Sequence, residues 1–208
     1  MIRPQKSKVH QKLLNWFLDR KFKKSFSSVN VNIDFEINDQ KSVLVIGNHS
    51  TWWDGFLIYQ LNRQIIKKDF YAMMLETQLS KLWFLQKVGC FSINPGSKSV
   101  VESLKFGSDL LTKEQNMLLF YPQGRFFSLF DENWAFNKGL DFMLKNQTET
   151  EILFYSLFTD FGSNEKPYLN VYLEKVPDPQ TYSYLQLELA YKKFYQQSKL
   201  KHIAHFRP

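Results

Sequence analysis

His49 and Asp54 stand five residues apart, a spacing that lets a carboxylate fold back on an imidazole. A carboxylate accepting from one ring nitrogen fixes the tautomer and leaves the other nitrogen free as a base. The pair sits in Val43-Leu44-Val45-Ile46-Gly47-Asn48-His49-Ser50-Thr51-Trp52-Trp53-Asp54-Gly55. Val43 to Ile46 is an apolar run that predicts a strand buried on both faces. Gly47 and Asn48 break it, and Ser50 or Thr51 can cap a helix starting near Trp52. His49 is therefore expected at the carboxyl end of a strand, facing a helix N-terminus. In open α/β sheets that crevice is where ligands bind. A plainer reading competes, because Thr51-Trp52-Trp53-Asp54 also fits a capping box in which Asp54 serves helix amides. With four His and ten Asp in 208 residues, about 0.2 such pairs arise by chance, so the pair alone is a weak motif.

Two further blocks accompany it. Gly89-Cys90-Phe91-Ser92-Ile93-Asn94 follows, and then Phe120-Tyr121-Pro122-Gln123-Gly124-Arg125. The second of these reads as a strand running into a Pro-Gly turn, which is also a common way for any strand to end. In order and spacing the three blocks resemble the glycerolipid (lysophospholipid) acyltransferase family. Its members carry an Asn-His-x4-Asp block, a Gly-rich strand block and a Phe-Pro-Glu-Gly-Thr-Arg block. The resemblance extends over about residues 40 to 160. It implies that the third block binds the acceptor, often through a phosphate.

The departures from that pattern carry information. Gln123 replaces the family's Glu, Arg125 stands at its Thr, and Phe126 at its phosphate-binding Arg. Asn94-Pro95 occupies the place of the usual Asp-Arg. Both arginines associated with phosphate are missing from their positions, so an acceptor less charged than lysophosphatidic acid, or differently charged, is expected. Arg125 could substitute after a one-residue shift, although an Arg on a turn is commonly just solvated. The aromatics Phe126, Phe127, Phe130, Trp134 and Phe136 are expected to wall the acceptor site.

Around these blocks the chain alternates strand and helix patterns. Val29 to Ile37 alternates apolar and polar residues, the period of a half-exposed strand. Strands are expected at 70–75, 88–93, 117–121, 152–158 and 168–176. Helices are expected at 55–61, 79–87, 99–112, 139–145 and 182–200. This order predicts one α/β domain, a mostly parallel sheet flanked by helices. Residues 7 to 24 read as an additional helix, with Val9, Leu13, Trp16 and Phe17 on one side and Lys8, Lys12, Asn15, Asp19 and Lys23 on another. The division expected is therefore a basic amphipathic helix in residues 1–24 and an acyltransferase domain in residues 25–208.

Charge is placed unevenly. Residues 1–24 hold eight Lys or Arg and one Asp, which equals the net charge of +7 of the whole protein. A basic helix bearing Trp and Phe fits an anionic membrane surface. Nucleic acid is not expected as a partner, because no second basic patch or RNA-binding motif accompanies the helix. Aromatics are 17% of the chain and hydrophobic residues 44%, a globular composition. One cysteine, Cys90, allows no internal disulfide and points to a reducing compartment. No run of eighteen apolar residues exists for a spanning helix, and Met1-Ile2-Arg3-Pro4 does not open a signal peptide. A peripheral placement on the cytoplasmic face of a membrane follows as the expectation. His202 and His205 are read as solvated histidines in a tail with Lys201 and Arg207.

Other chemistries lack their residues: there is no Gly-x-Ser-x-Gly elbow, no P-loop and no dinucleotide fingerprint. No zinc pattern occurs, so no metal is expected. Together with the resemblance, the residues point to transfer of a fatty acyl group from acyl-CoA or acyl carrier protein to a hydroxyl or amine of a membrane lipid. The thioester is a co-substrate, and no cofactor is expected. His49 would be the general base and Asp54 its partner. Asn48, Ser50, Gln123, Gly124 and Arg125 would form the substrate-binding surround, Asn48 and Ser50 by shaping the loop, with amides around Gly124 as oxyanion donors. The rival from another class is a non-catalytic lipid-binding or scaffold protein of the same fold.

Overall fold

The computed structural model describes residues 1–131, 133–145 and 147–205. Helix α1 (Lys8–Ser25) precedes an α/β body in the order β1 (Val29–Asn32), β2 (Ser42–Gly47), α2 (Asp54–Leu61), β3 (Asp69–Leu75), α3 (Glu76–Lys81) and β4 (Cys90–Ile93). Then come α4 (Val100–Leu111), β5 (Asn116–Phe120), α5 (Gly139–Leu144), β6 (Thr150–Asp160), β7 (Tyr168–Lys175) and α6 (Tyr184–Ala204). Among the described residues the strands form one sheet in the order β1-β7-β6-β2-β5-β3-β4. All neighbours are parallel except β6 and β7, which pair antiparallel across the turn at 161–167. The α/β architecture matches the alternation read from the sequence.

β2 lies at the centre and is wholly buried, which accounts for its continuous β-branched and apolar composition. Val43 and Val45 face one layer with α1 and α2. Leu44 and Ile46 face the other, with α4, α5 and α6. The two faces of one strand thus feed two cores. At its end, Gly47 is required by packing, because a Cβ there would run into the ring of Tyr155. Gly47→Ala is expected to cost roughly 1–3 kcal/mol through overpacking, lowering the melting temperature by roughly 2–12 °C. A thermal melt checks this, and an unchanged midpoint would mean that the ring can yield.

Several elements differ from their sequence outlines. Only Val29–Asn32 of the expected edge strand pairs, with β7. Ile33, Phe35 and Ile37 still pack on the core without joining the ladder, so the period of two reported burial rather than pairing. The helix expected at 79–87 is instead α3 followed by a 3₁₀ segment, Trp83–Val88, with Leu82 leaving helical geometry between them. The C-terminal helix runs past Leu200, and His202 is buried, stacked on Phe158 and hydrogen-bonded to Asn170. Helical phase carries His202 inward, which overturns the solvated reading; Arg207 lies outside the described residues.

α1 is oriented with part of its polar face inward. Asn15 accepts from the Tyr59 hydroxyl, and Asp19 accepts from Gln60 and Arg63. Leu14 and Leu18 are buried beside them. Val9, Leu13, Trp16 and Phe17 are all exposed. Arg20 lies over the Trp16 ring and Lys21 over the Phe17 ring.

Candidate active site

β2 ends at Gly47, and α2 begins at Asp54, with Trp53 in the N-cap position. The six residues between them form the loop that carries His49. Asp54 Oδ2 accepts from Ser50 N at 2.8 Å, from Thr51 N at 2.9 Å and from His49 Nδ1 at 3.0 Å. Its Oδ1 accepts from the Thr51 hydroxyl at 2.7 Å. Asp54 is 0% exposed, and a buried carboxylate needs this set of donors to remain charged. The capping box is not formed, because α2 begins only at Asp54 and its N-cap residue Trp53 makes no side-chain cap bond; Asp54 instead accepts from loop amides ahead of the helix and from the imidazole. Because a carboxylate only accepts, Nδ1 carries the ring proton and Nε2 is the basic nitrogen.

The imidazole is sandwiched. The Tyr121 ring stacks on it with centroids 4.2 Å apart, and the Phe126 ring on it at 3.7 Å. The backbone is pinned as well, since His49 O accepts from Phe127 N at 2.9 Å and from Gln123 Nε2 at 3.2 Å. Gln123 Nε2 also reaches Arg125 O at 3.0 Å. A Glu at this position would have no N–H for either carbonyl, which gives the substitution of Glu by Gln a physical role. Tyr121 is held from behind by the Tyr155 hydroxyl at 3.0 Å. Burial pushes the hydroxyls of Tyr121, Tyr155 and Tyr191 well above the usual phenol range, so all three stay neutral.

His49 opens onto a cavity of about 640 Å³. Its walls are mostly apolar and come from α1, α2, β3, the 3₁₀ segment and α4, for example Leu14, Phe56, Met73, Leu85 and Leu104. Lys81 and Arg125 supply its cationic side chains. Arg125 lies with its guanidinium carbon 4.6 Å from the Phe127 ring centroid. Cys90 also lines the cavity, but burial pushes its thiol up to about 12, which keeps it from acting as a thiolate nucleophile.

Of the residues singled out from sequence, His49, Gly124 and Arg125 meet on the cavity wall. Asp54, Asn48, Ser50 and Gln123 are not among the cavity-lining residues; they lie behind it in the hydrogen bonding of the loop. Asn48 N donates to the Tyr191 hydroxyl. The Ser50 hydroxyl and Gln123 Oε1 are buried without a hydrogen-bond partner among the described residues. Gly124 has φ +74, a conformation that favours glycine. Its N–H donates to Tyr121 O at 3.0 Å, so this amide closes the turn and is not an oxyanion donor. The expected aromatic wall reduces to Phe126. Trp134 and Phe136 are buried in the α4–α6 core, and Phe130 is 88% exposed. Tyr121, Tyr155, Tyr191 and Lys81 complete the surroundings, and the sequence patterns did not single them out. Only Tyr121 had a local signal, as a member of the third block.

The arrangement can take a proton from a hydroxyl or amine at Nε2 while a buried carboxylate balances the resulting imidazolium. The solved structure of the 1-acyl-sn-glycerophosphate (LPA) acyltransferase PlsC from Thermotoga maritima shares this fold. Its TM-score is 0.64 at 16% identity, covering 95% of this chain and 81% of that one. A sequence search against characterised proteins finds no match. The Acyltransferase family model, however, matches residues 28–153, more than half of the chain and a span that contains the whole His49 loop and its partners from the third block. On that match, with the imidazole–carboxylate pair in place at the head of an apolar cavity, the chain belongs to the acyltransferase family.

Proposed function

We propose that the protein transfers a fatty acyl group from an acyl thioester, acyl-CoA or acyl carrier protein, to a hydroxyl or amine of a membrane lipid. The observation that carries this reading is the His49–Asp54 pair, with the remaining ring nitrogen on a residue that lines a large apolar cavity. A cavity of that size and character fits an alkyl chain. The acceptor O–H or N–H gives its proton to His49 Nε2 as its lone pair attacks the thioester carbonyl carbon. The tetrahedral intermediate then expels the thiolate, which recovers the proton from the imidazolium. Asp54 stays ionised throughout and stabilises that cation. No acyl-enzyme is needed, in keeping with the buried, protonated Cys90. Gln123 and the turn at Gly124 hold Arg125 at the wall, where its guanidinium contacts the acceptor.

Incubating purified protein with an acyl thioester and a panel of lipid acceptors tests the reading. Stoichiometric thiol release and acylated lipid are expected. Lipid binding without either would favour the non-catalytic lipid-binding alternative.

α1 supports a peripheral position at an anionic membrane. With part of its polar face paired to α2, its exposed surface includes Val9, Leu13, Trp16 and Phe17 beside Arg20 and Lys21. Among the described residues no helix is long and apolar enough to cross a bilayer. A surface contact combining apolar insertion with attraction to anionic lipid fits this face. Trp16→Ser with Phe17→Ser is expected to weaken binding to anionic vesicles by at least about tenfold. High salt should weaken wild-type binding too. Vesicle sedimentation checks both, and binding unchanged by either would place the contact elsewhere.

A further inference from the structure

The catalytic loop is held from both faces of the sheet by tyrosines that lie outside the matched family region. The last β2–β6 pair is Gly47 with Tyr155. Asn48 follows directly, so its N–H has no ladder partner, yet the residue is only 4% exposed. A buried N–H must find an acceptor elsewhere. Here the acceptor is the hydroxyl of Tyr191, reaching up from α6 at 2.8 Å. The same hydroxyl lies 2.7 Å from Tyr155 O and 3.0 Å from Asn48 Oδ1, and its single proton serves one or other of them. On the opposite face, the Tyr155 ring fills the space left by Gly47 and supports Tyr121, on which His49 stacks.

We propose that Tyr191 is a positioning residue for His49. Its hydroxyl fixes the backbone immediately before the imidazole, so that Nδ1 meets Asp54 and Nε2 meets the cavity in one orientation. The proposal rests on the reading of His49 as the base. Misplacement of a catalytic group by even 1 Å can cost about 10² in rate, and α6 is the element that prevents it at Asn48. Tyr191 also packs among Trp134, Phe136 and Phe154, so its ring contributes to the core whatever its hydroxyl does. The test has to separate the two.

Tyr191→Phe does so by keeping the ring and removing one oxygen. It is expected to lower kcat by about 10- to 100-fold while both KM values stay within about twofold, because the cavity wall is untouched. The His49 Nδ1–H proton resonance, read by ¹⁵N-filtered NMR without turnover, is expected to broaden or move. Leu187→Val, also buried on α6 but with no polar group to offer the loop, serves as the control. It should lower the melting temperature and leave kcat and the resonance unchanged. Should Tyr191→Phe not accumulate in folded form, hydrogen exchange at Asn48 N–H in the wild type decides, with protection like that of the β2 amides expected and rapid exchange overturning the clamp. An unchanged kcat in Tyr191→Phe, or losses in Leu187→Val equal to those in Tyr191→Phe, would reduce Tyr191 to packing. If the wild type itself transfers no acyl group, the functional reading fails, and the resonance alone then decides the clamp: altered in Tyr191→Phe supports it, unaltered overturns it.

Discussion

Asp54→Asn is expected to lose at least about 10² of the transfer rate while the loop keeps its shape. An Asn can place its oxygen where Oδ2 stands and still accept from Ser50 N, Thr51 N and His49 Nδ1. Its NH₂ can face the Thr51 hydroxyl, which then accepts instead of donating. The bonds accepted at that oxygen survive, and the largest change is the loss of the negative charge. That charge is buried at 0% exposure, where it acts on the imidazolium with little screening. The loss should therefore appear in kcat, with KM changing little. Steady-state kinetics beside a thermal melt would check it. A variant within a few-fold of wild type would mean that Asp54 serves only the loop amides.

A second large effect is expected in the choice of acceptor. A phosphate monoester withdrawn from water needs Arg forks or clustered amides. Pro95 and Phe126 line the cavity where arginines are usual in the family that the sequence resembles, and the Phe126 ring is committed to covering His49. The Gly124 amide is committed to its own turn. Arg125 remains, drawn over Phe127. Lysophosphatidic acid is accordingly expected to trail the best neutral or zwitterionic lipid alcohol or amine by at least about tenfold in kcat/KM, a difference of roughly 1.4 kcal/mol. Kinetics across such a panel decide the matter. If lysophosphatidic acid leads it and Arg125→Ala abolishes its use, the shifted arginine does the phosphate-binding work and this expectation is wrong.

Much of the site was legible because its parts are near one another in sequence. His49 and Asp54 are joined by one short loop, so their spacing allowed the pairing, although only the two accompanying blocks set it apart from a chance motif. β2 was legible because a strand buried on both faces has no polar phase to obscure it. Gln123 could be flagged as unusual, but its donation to His49 O, across 74 residues, follows only from the fold. Tyr191 left no trace in the sequence. It is one aromatic among many in a helix whose periodicity speaks of burial, and its partner is 143 residues away. In α1 the sequence put Asn15 and Asp19 on one face with Lys8, Lys12 and Lys23, without indicating that these two pair with the body of the protein. Their partners Tyr59 and Gln60 lie in α2 and Arg63 just beyond it, and helical phase alone cannot identify a neighbour. The aromatic loop erred in the other direction, since composition counts Trp134 and Phe136 without telling whether they face a substrate or a core.

Whether His49 is the base of an acyl transfer is decided by a single comparison. Wild type and His49→Ala are assayed side by side for acylated lipid formed from an acyl thioester, at matched concentration and with melting curves recorded. His49 is a partly exposed residue whose ring is not in the core, so the fold should survive the change. A loss of about 10²- to 10⁴-fold in transfer is expected, with an essentially unchanged melting temperature. Transfer by His49→Ala within a few-fold of wild type would contradict it.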